Sequence, residues 1–212
     1  MKKLLIFDLD GTLADTYTAI YESLNFTLEK LGYKPVSFLK AKLAVGRGDN
    51  LFIKEFFEDK DIEKAAQLFK KHHKYSLLKF THPRPYAKKT LYLLKRKKKK
   101  IALASNRPTP FTLLILKKLE IKKYIDFVLC ADKVEKLKPD PEIIFQILEK
   151  FKCIKDEAVF VGDMDIDVLT AHRAGVEAVF IKGGSTPLKK IKKEFKKIKI
   201  ILNLKELLSL YA

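Results

Sequence analysis

Two aspartates stand at the end of an apolar segment near the amino terminus, where residues 4–12 read LLIFDLDGT. In an extended chain, side chains two positions apart point the same way, so Asp8 and Asp10 face one spot. Their mutual repulsion favours a cation or a shared proton between them. Gly11 permits a sharp turn that opens this strand end to a ligand. An ordinary Asp-Gly turn would account for Asp10 and Gly11, but not for Asp8.

Polar side chains also follow apolar segments later in the chain. Ser105 and Asn106 come after residues 101–104, and Asp163 and Asp167 come after residues 158–161. Lys138 begins a proline-rich turn, KPDP, that leads into a helical segment. Taken singly, each could be an ordinary strand exit or a surface side chain. In open parallel sheets, however, ligands bind at the carboxyl ends of the strands, so we expect all of these side chains at one sheet edge.

Short β-like segments alternate with helical segments over most of the sequence. The pattern predicts strands at 4–7, 101–104, 127–129, 158–161, 178–181 and 198–202. It predicts helices at 85–94, 110–119, 141–151, 167–174 and 188–196. Such alternation is typical of an α/β protein, with a Rossmann-like parallel sheet and helices on both faces.

One long stretch interrupts this alternation. Between residue 15 and about residue 80 we predict amphipathic helices near 16–31, 50–57 and 61–78, and no strand. Pro83 and Pro85 then break the helical pattern, because proline disfavours helix at its own and the preceding position. We therefore predict an α/β core formed by residues 1–14 and 82–212, with an inserted helical unit at residues 15–81.

Composition and charge limit the class of protein. The 212 residues carry 44 Lys and Arg against 26 Asp and Glu, a net charge of +18. We do not expect a nucleic-acid partner, because no helix-turn-helix, zinc finger or aromatic-interleaved basic strand accompanies this charge. The first apolar segment ends at Asp8, far short of a signal peptide or a membrane span. Cys130 and Cys153 lack metal-ligand spacing. We expect a cytoplasmic protein without a membrane partner; its oligomeric state stays open.

Four motifs, in order and spacing, resemble those of the haloacid dehalogenase superfamily of hydrolases. They are DLDGT at 8–12, SN at 105–106, KPDP at 138–141 and GDxxxD at 162–167. Each motif is weak alone, but the four together cover essentially the whole chain. The branch that they resemble carries a helical cap inserted just after the first strand, which would be residues 15–81. The resemblance implies a phosphatase that acts on a small phosphorylated metabolite.

The resemblance also implies roles for the acidic residues. Asp8 would be the nucleophile that forms an aspartyl-phosphate. Asp10 would protonate the leaving oxygen and then activate the hydrolytic water. Mg²⁺ would be held by Asp8, by the backbone carbonyl of Asp10 and by Asp163, since this ion prefers oxygen ligands. Asp167 would orient ligands or the lysine of the third motif from outside.

The same resemblance assigns contacts to the substrate. Ser105 and Lys138 would hold the phosphoryl oxygens, and Thr12 and Asn106 would add further phosphate contacts. Arg47 lies in the segment VGRGDNL of the helical insert, which resembles the part of the mutase branch that grips a second phosphate. Such an arginine could bind a carboxylate or a phosphate bidentately. A surface arginine in a glycine-rich turn is the other interpretation.

Several activities occur on this scaffold. The sequences DGT at 10–12 and SNRP at 105–108 are similar to phosphoglycolate phosphatase relatives, and we take that phosphatase class as the prediction. A β-phosphoglucomutase-like mutase, a pyrophosphatase and a nucleotidase remain alternatives. The alternative outside enzymes is a basic, nucleic-acid-associated protein that keeps the fold and works by binding.

Overall fold

A computed structural model describes residues 2–212. Its eight strands are β1 (Leu4–Phe7), β2 (Ala14–Asp15), β3 (His82–Pro83), β4 (Lys100–Ser105), β5 (Phe127–Cys130), β6 (Ala158–Gly162), β7 (Glu177–Ile181) and β8 (Lys199–Ile201). Six of them form one sheet in the order β5-β4-β1-β6-β7-β8, and every pairing in it is parallel. The strands β2 and β3 pair with each other, antiparallel.

Ten α-helices accompany the strands. They are α1 (Tyr17–Lys30), α2 (Phe38–Leu43), α3 (Asp49–Lys54), α4 (Ile62–Phe80), α5 (Ala87–Arg96), α6 (Thr109–Lys118), α7 (Glu142–Phe151), α8 (Asp165–Ala174), α9 (Leu188–Glu194) and α10 (Glu206–Tyr211). The first four lie between β2 and β3 in the chain. Helix α5 follows β3, and α6 to α10 follow β4 to β8 in turn.

Helices cover both faces of the sheet, as the side chains of β1 illustrate. Successive residues of a strand point to opposite faces. Leu5 and Phe7 pack in a core with residues of α5, α6 and α10. Leu4 and Ile6 pack in a second core with residues of α7, α8 and α9. Because both faces are buried, β1 reads as a continuous apolar run. The predicted fold class, an α/β sheet with helices on both faces, is confirmed.

The four helices between β2 and β3 have their own apolar core. Its members include Leu24 of α1, Ala41 of α2, Ile53 of α3 and Phe69 of α4. We call α1 to α4 the cap. The predicted division into residues 15–81 and the remainder stays a prediction, and β2 and β3 lie at its two boundaries.

Two features of this region differ from the sequence expectation. The short strands β2 and β3 lie where the chain enters and leaves the cap. They pair with each other, Ala14 with Pro83 and Asp15 with His82. Two-residue strands leave no alternating pattern to detect. Helix α2 was not predicted either, because its Phe38, at 42% exposure, and other apolar side chains remain at the surface and form no buried stripe.

The order of the strands creates a crevice at one sheet edge. The chain leaves β1 for β4 and β5 on one side, then returns to β6 on the other. Ligand sites of parallel sheets lie at such a reversal, outside the carboxyl ends of the strands. Asp8 follows β1, Asn106 follows β4 and Asp163 follows β6. Among the helices of residues 2–212, none has both the length and the apolar character that a membrane crossing requires.

Candidate active site

Lys138 joins two buried carboxylates at the crevice. Its Nζ lies 2.7 Å from Oδ1 of Asp8 and 2.7 Å from Oδ1 of Asp167, and it also donates to the carbonyl of Ala104 at 3.2 Å. All three charged residues are buried. Burial opposes the charge of the ammonium group, but Asp167 and Asp8 raise the pKa of Lys138 above its ordinary value. The lysine is therefore charged at neutral pH.

Asp163 is held by donors from three separate segments. Its Oδ1 accepts from the hydroxyl of Thr12 at 2.9 Å. Its Oδ2 accepts from the hydroxyl of Tyr17 at 2.7 Å and from the backbone N–H of Ser185 at 3.0 Å. Tyr17 is the first residue of α1, so one of these donors belongs to the cap. The carboxylate is completely buried, and this set of donors fixes its orientation.

Two glycines make room for this carboxylate. A Cβ at Gly184 would lie 1.7 Å from Oδ2 of Asp163, and a Cβ at Gly11 would lie 2.4 Å from the same atom. Gly11 also has a φ of +84°, a conformation that glycine adopts without steric cost. A glycine at position 11 is therefore required both by the close approach of Asp163 and by the turn itself.

Three carboxylates converge with little positive charge to balance them. Ligand atoms of Asp8, Asp163 and Asp167 all lie within 4.8 Å of one another. Burial, and then the neighbouring charge of Asp167, raise the pKa of Asp163 to about 6. Burial also raises the pKa of Asp8 well above its ordinary range, against the opposing effect of Lys138. Such a cluster favours an added cation, because a divalent ion stabilises the ionised forms.

Asp10 is held in a different way from Asp8. Its two oxygens accept bidentate hydrogen bonds from Arg107, with Nε to Oδ2 at 2.9 Å and Nη2 to Oδ1 at 2.9 Å. The hydroxyl of Thr16 also donates to Oδ1. Arg107 lies in the loop after β4 and is buried. The planar fork of an arginine matches the two oxygens of a carboxylate in this way.

A histidine of the cap completes the contacts of Arg107. Nη1 of Arg107 lies 2.7 Å from Nε2 of His73, and Nδ1 of His73 lies 2.9 Å from Oγ of Ser23. Burial, and then the charge of Arg107, lower the pKa of His73 well below its ordinary value. The ring is therefore neutral: Nε2 accepts from the guanidinium and Nδ1–H donates to Ser23, whose hydroxyl donates to the carbonyl of Ala19.

The second motif positions other groups through its side chains. The amide of Asn106 accepts from the backbone N–H of Lys138 at 2.9 Å, and donates to the carbonyls of Lys138 and Gly46. Asn106 thereby joins the third motif to the cap. Ser105 is buried, and its hydroxyl oxygen accepts from the backbone N–H of Arg107 at 3.1 Å.

A small cavity lies between these residues and the cap. It leaves about 40 Å³ for the centres of water-sized molecules. Polar residues of the core form its floor; these are Asp8, Asp10, Ser105, Asn106, Arg107 and Lys138. The cap supplies mainly apolar walls, together with Asp49 and His73.

Most of the predicted site residues meet at this crevice, and one does not. Asp8, Asp10, Ser105, Asn106 and Lys138 line the cavity, whereas Thr12, Asp163 and Asp167 stand behind it. In this structure Thr12 and Asn106 hold Asp163 and Lys138; their contact with a phosphate stays a prediction. Arg47 is exposed and does not line the cavity. Asp165 begins α8 and pairs with Lys190 outside the cluster.

Sequence reasoning missed three of the contacts. The sequence marks Arg107 only as part of the SNRP motif. Its position just after a buried strand is the signal that could have identified it as a site residue. His73 lies four residues from both Phe69 and Leu77 on α4, which places it on the buried face of that helix. No sequence signal identifies Tyr17, because its partner Asp163 is 146 residues away.

The comparisons with known proteins agree with this geometry. The family model described as "Haloacid dehalogenase-like hydrolase" matches residues 5–181. The chain is 32% identical over 191 residues to the "Putative pyrophosphatase PpaX" of Caldanaerobacter subterraneus subsp. tengcongensis, covering 90% of this chain and 86% of that one. It is 31% identical over 189 residues to the phosphoglycolate phosphatase of Aquifex aeolicus, covering 88% and 87%.

A solved structure shows the same fold. The crystal structure described as a "predicted phosphoglycolate phosphatase" from Haemophilus somnus 129pt superposes with a TM-score of 0.93 at 22% identity, covering 100% of this chain and 98% of that one. The chain belongs to the haloacid dehalogenase-like hydrolase family, which confirms the resemblance of its motifs. The relatives support the predicted class of enzyme, a phosphatase.

Proposed function

We propose that this protein is a Mg²⁺-dependent phosphatase that hydrolyses small organic phosphate monoesters through an aspartyl-phosphate on Asp8. One observation carries the proposal. A buried carboxylate, Asp8, is held by a buried lysine beside two further acids at the carboxyl edge of a parallel sheet, and it lines a cavity that residues of the cap also line. The assigned roles below are part of the proposal.

The cluster of acids fits Mg²⁺. Asp8 and Asp163 would hold the ion with the backbone carbonyl of Asp10, all of them oxygen ligands. The fit rests on the charge balance, because three buried carboxylates face the single ammonium of Lys138. When bound, the ion would neutralise charge on the transferring phosphoryl group. Asp167 would keep its present task, which is to hold Lys138 at 2.7 Å.

The residues of the chain would carry two displacement steps. A carboxylate oxygen of Asp8 attacks phosphorus, the bond from phosphorus to the ester oxygen breaks, and Asp10 gives its proton to the departing alkoxide. Asp10 then takes a proton from water, whose oxygen attacks the aspartyl-phosphate. The bond from phosphorus to Asp8 breaks, which releases inorganic phosphate and restores the carboxylate. Lys138 and Ser105 would bind the phosphoryl oxygens throughout.

Small size is the property of the substrate that the cavity favours. The space between the core and the cap is small, which favours a short leaving group over a large one. A phosphoglycolate-like monoester is the substrate that the phosphoglycolate phosphatase relative suggests. Pyrophosphate is the second candidate, because a relative at 32% identity is named for its hydrolysis.

We also propose a cytoplasmic location. Cys130 and Cys153 are both free thiols, and free thiols are usual in a reducing compartment. A small phosphorylated metabolite, rather than a macromolecule, would be the partner of the site.

Release of inorganic phosphate tests the proposal. The wild-type protein is incubated with phosphoglycolate, pyrophosphate, sugar phosphates and nucleotides, with Mg²⁺ or with a chelator. Asp8→Asn removes the nucleophile, and Asp156→Asn changes an exposed aspartate as the matched control. We expect release that requires Mg²⁺, is lost in Asp8→Asn and persists in Asp156→Asn. Release that survives Asp8→Asn, or salt-sensitive binding of duplex DNA without any turnover, would refute the proposal.

A further inference from the structure

Arg107 holds the proposed acid and base of the reaction. Two of its guanidinium nitrogens bind the carboxylate of Asp10, each at 2.9 Å. Burial opposes its charge, but Asp10 raises the pKa of Arg107 above the ordinary value, so this arginine is always charged. In this arrangement both oxygens of Asp10 face Arg107 and Thr16. A carboxylate held on both oxygens is poorly placed to give a proton to a departing group.

The cap fixes Arg107 in this position. The remaining terminal nitrogen, Nη1, donates to the neutral ring of His73 on α4. His73 is fixed in turn by Ser23 on α1, and its ring stacks on Phe69 with centroids 4.7 Å apart. The guanidinium is thus rigid, with its fork already oriented for a planar anion. Such preorganisation lowers the entropic cost of binding one.

Arg107 also faces the substrate cavity. Among the residues that line the cavity, the cations are Arg107 and Lys138, and Lys138 already bridges Asp8 and Asp167. Much of the remaining wall is apolar; it is formed by Ile20, Val45, Phe52, Phe69 and Met164. The substrate could carry a second anionic group in addition to the phosphoryl group that is transferred. Arg107 is the residue that would bind this second group most strongly.

Asp49 is the acidic group that faces Arg107 from the cap side of the cavity. It lies in the first turn of α3 and lines the cavity. Burial raises the pKa of Asp49 above its ordinary value. Burial thus lowers the cost of protonating this carboxyl, and a protonated Asp49 would donate a hydrogen bond to a second anion instead of repelling it.

We propose that Arg107 selects substrates whose leaving group carries a second anionic group, a carboxylate or a phosphoryl group, and that this group displaces Asp10 from the guanidinium. Asp10, once released from the guanidinium, takes a proton from solvent, reaches the ester oxygen and gives that proton to it. The inference rests on the proposed phosphatase function and names the substrate class of that same site. It makes Arg107 a specificity residue and gives a reason for the pairing of Asp10 with an arginine in this structure.

A pair of matched substrates tests the exchange. Phosphoglycolate has an anionic leaving group, and 2-hydroxyethyl phosphate has a neutral one of similar size. We expect the wild-type protein with Mg²⁺ to prefer phosphoglycolate in kcat/KM by about ten- to a hundred-fold, the usual worth of a charge-assisted hydrogen bond. Pyrophosphate, tested in parallel, distinguishes a phosphoryl group from a carboxylate as the second anion.

Arg107→Gln provides the decisive comparison. The variant should lose about ten- to a hundred-fold in kcat/KM on phosphoglycolate. On 2-hydroxyethyl phosphate the loss should be much smaller, so the preference for phosphoglycolate, a ratio of two kcat/KM values in one variant, should fall toward one. Arg96→Gln changes an exposed arginine at the end of α5 and should behave as wild type. Arg107→Lys keeps the charge but not the planar fork, and should retain part of the preference.

Three results would overturn the inference. One is a wild-type protein that hydrolyses both substrates equally well, a measurement that needs no folded variant. Another is an equal loss on both substrates in Arg107→Gln, which would mean that Arg107 only holds Asp10. The third is absence of phosphate release from every substrate, which overturns the proposed function as well. Release without a preference for the anionic substrate overturns this inference alone.

Discussion

Without Mg²⁺, the buried carboxyl of Asp163 should make the protein less stable at neutral pH than at mildly acidic pH. Burial and Asp167 raise the pKa of Asp163 from 3.8 to about 6. A carboxyl whose pKa is raised by folding favours the folded state while it is protonated. Its contribution is complete below the unfolded pKa and is lost as the pH rises through about 6.

The size of the effect follows from that difference in pKa. A rise from 3.8 to about 6 corresponds to about 3 kcal/mol of lost stability once Asp163 is ionised. For a chain of 212 residues, each kcal/mol changes Tm by about 2–4 °C. Between about pH 5 and about pH 7.5 only the last pH unit below the folded pKa contributes, which is about 1.4 kcal/mol of this loss, so the metal-free protein should melt about 3–6 °C lower at the higher pH. Mg²⁺ stabilises the ionised carboxylate and should remove this loss.

Thermal unfolding followed by circular dichroism measures the effect. Samples at about pH 5 and about pH 7.5 are melted with a chelator and with saturating Mg²⁺. The gain in Tm on adding Mg²⁺ should be larger at the higher pH. Asp163→Asn should reduce this pH dependence, and Asp8, whose pKa is also raised, accounts for what remains. Asp165→Asn is the matched control, because Lys190 and its other partners overcome burial and lower the pKa of Asp165.

Two results would refute the reasoning. Equal stabilisation by Mg²⁺ at both pH values would mean that the ion does not relieve a buried carboxylate. An unchanged pH dependence in Asp163→Asn, together with a wild-type fold, would assign the titration to other groups. The control variant Asp165→Asn guards against a general effect of removing one negative charge near α8.

Two further substitutions test the cluster from its neighbours. Lys138→Met should abolish phosphate release, and it should destabilise the metal-free protein by about 3–5 kcal/mol because it leaves two buried carboxylates unpaired. Denaturant unfolding measures this loss. A variant as stable as wild type would contradict the buried ion pairs. Gly184→Ala should weaken Mg²⁺ binding about ten- to a hundred-fold in calorimetric titration, because its Cβ would lie 1.7 Å from Asp163. Gly32→Ala, with nothing within 4 Å, should bind Mg²⁺ as wild type does.

The sequence was sufficient to predict the fold and the gathering of residues at the crevice. Asp8 and Asp163 each follow an apolar run of strand length, and parallel strands bring such positions to one edge. Lys138 was harder, since only its motif marked it. The structure places it against Asp8 and Asp167. These predictions were possible because the end of a strand can be recognised from the local sequence. The parallel sheet then brings the carboxyl ends of its strands to one edge.

The contacts that depend on the cap could not be predicted. Arg107 meets Asp10 across 97 positions and His73 across 34, so the pairing depends on how the cap sits on the core. Arg47 is a different case, and its contact with a substrate stays a prediction. Its glycine-rich segment resembled a phosphate grip, yet the side chain is exposed and the neighbouring Gly46 and Gly48 line the cavity instead. Local pattern gives no information about which way a loop presents its side chains.

The cap is fastened to the core through the carboxylates themselves. On one side, Tyr17 of α1 donates to Asp163, and Lys42 of α2 lies over the ring of Tyr17 while donating to the carbonyl of Gly183. On the other side, His73 of α4 binds Arg107, which binds Asp10. A displacement of the cap large enough to admit a substrate must stretch or break these contacts. The cap therefore cannot open without changing the surroundings of Asp10 and Asp163. Access to the cavity and the hydrogen bonding of these two acids must change together.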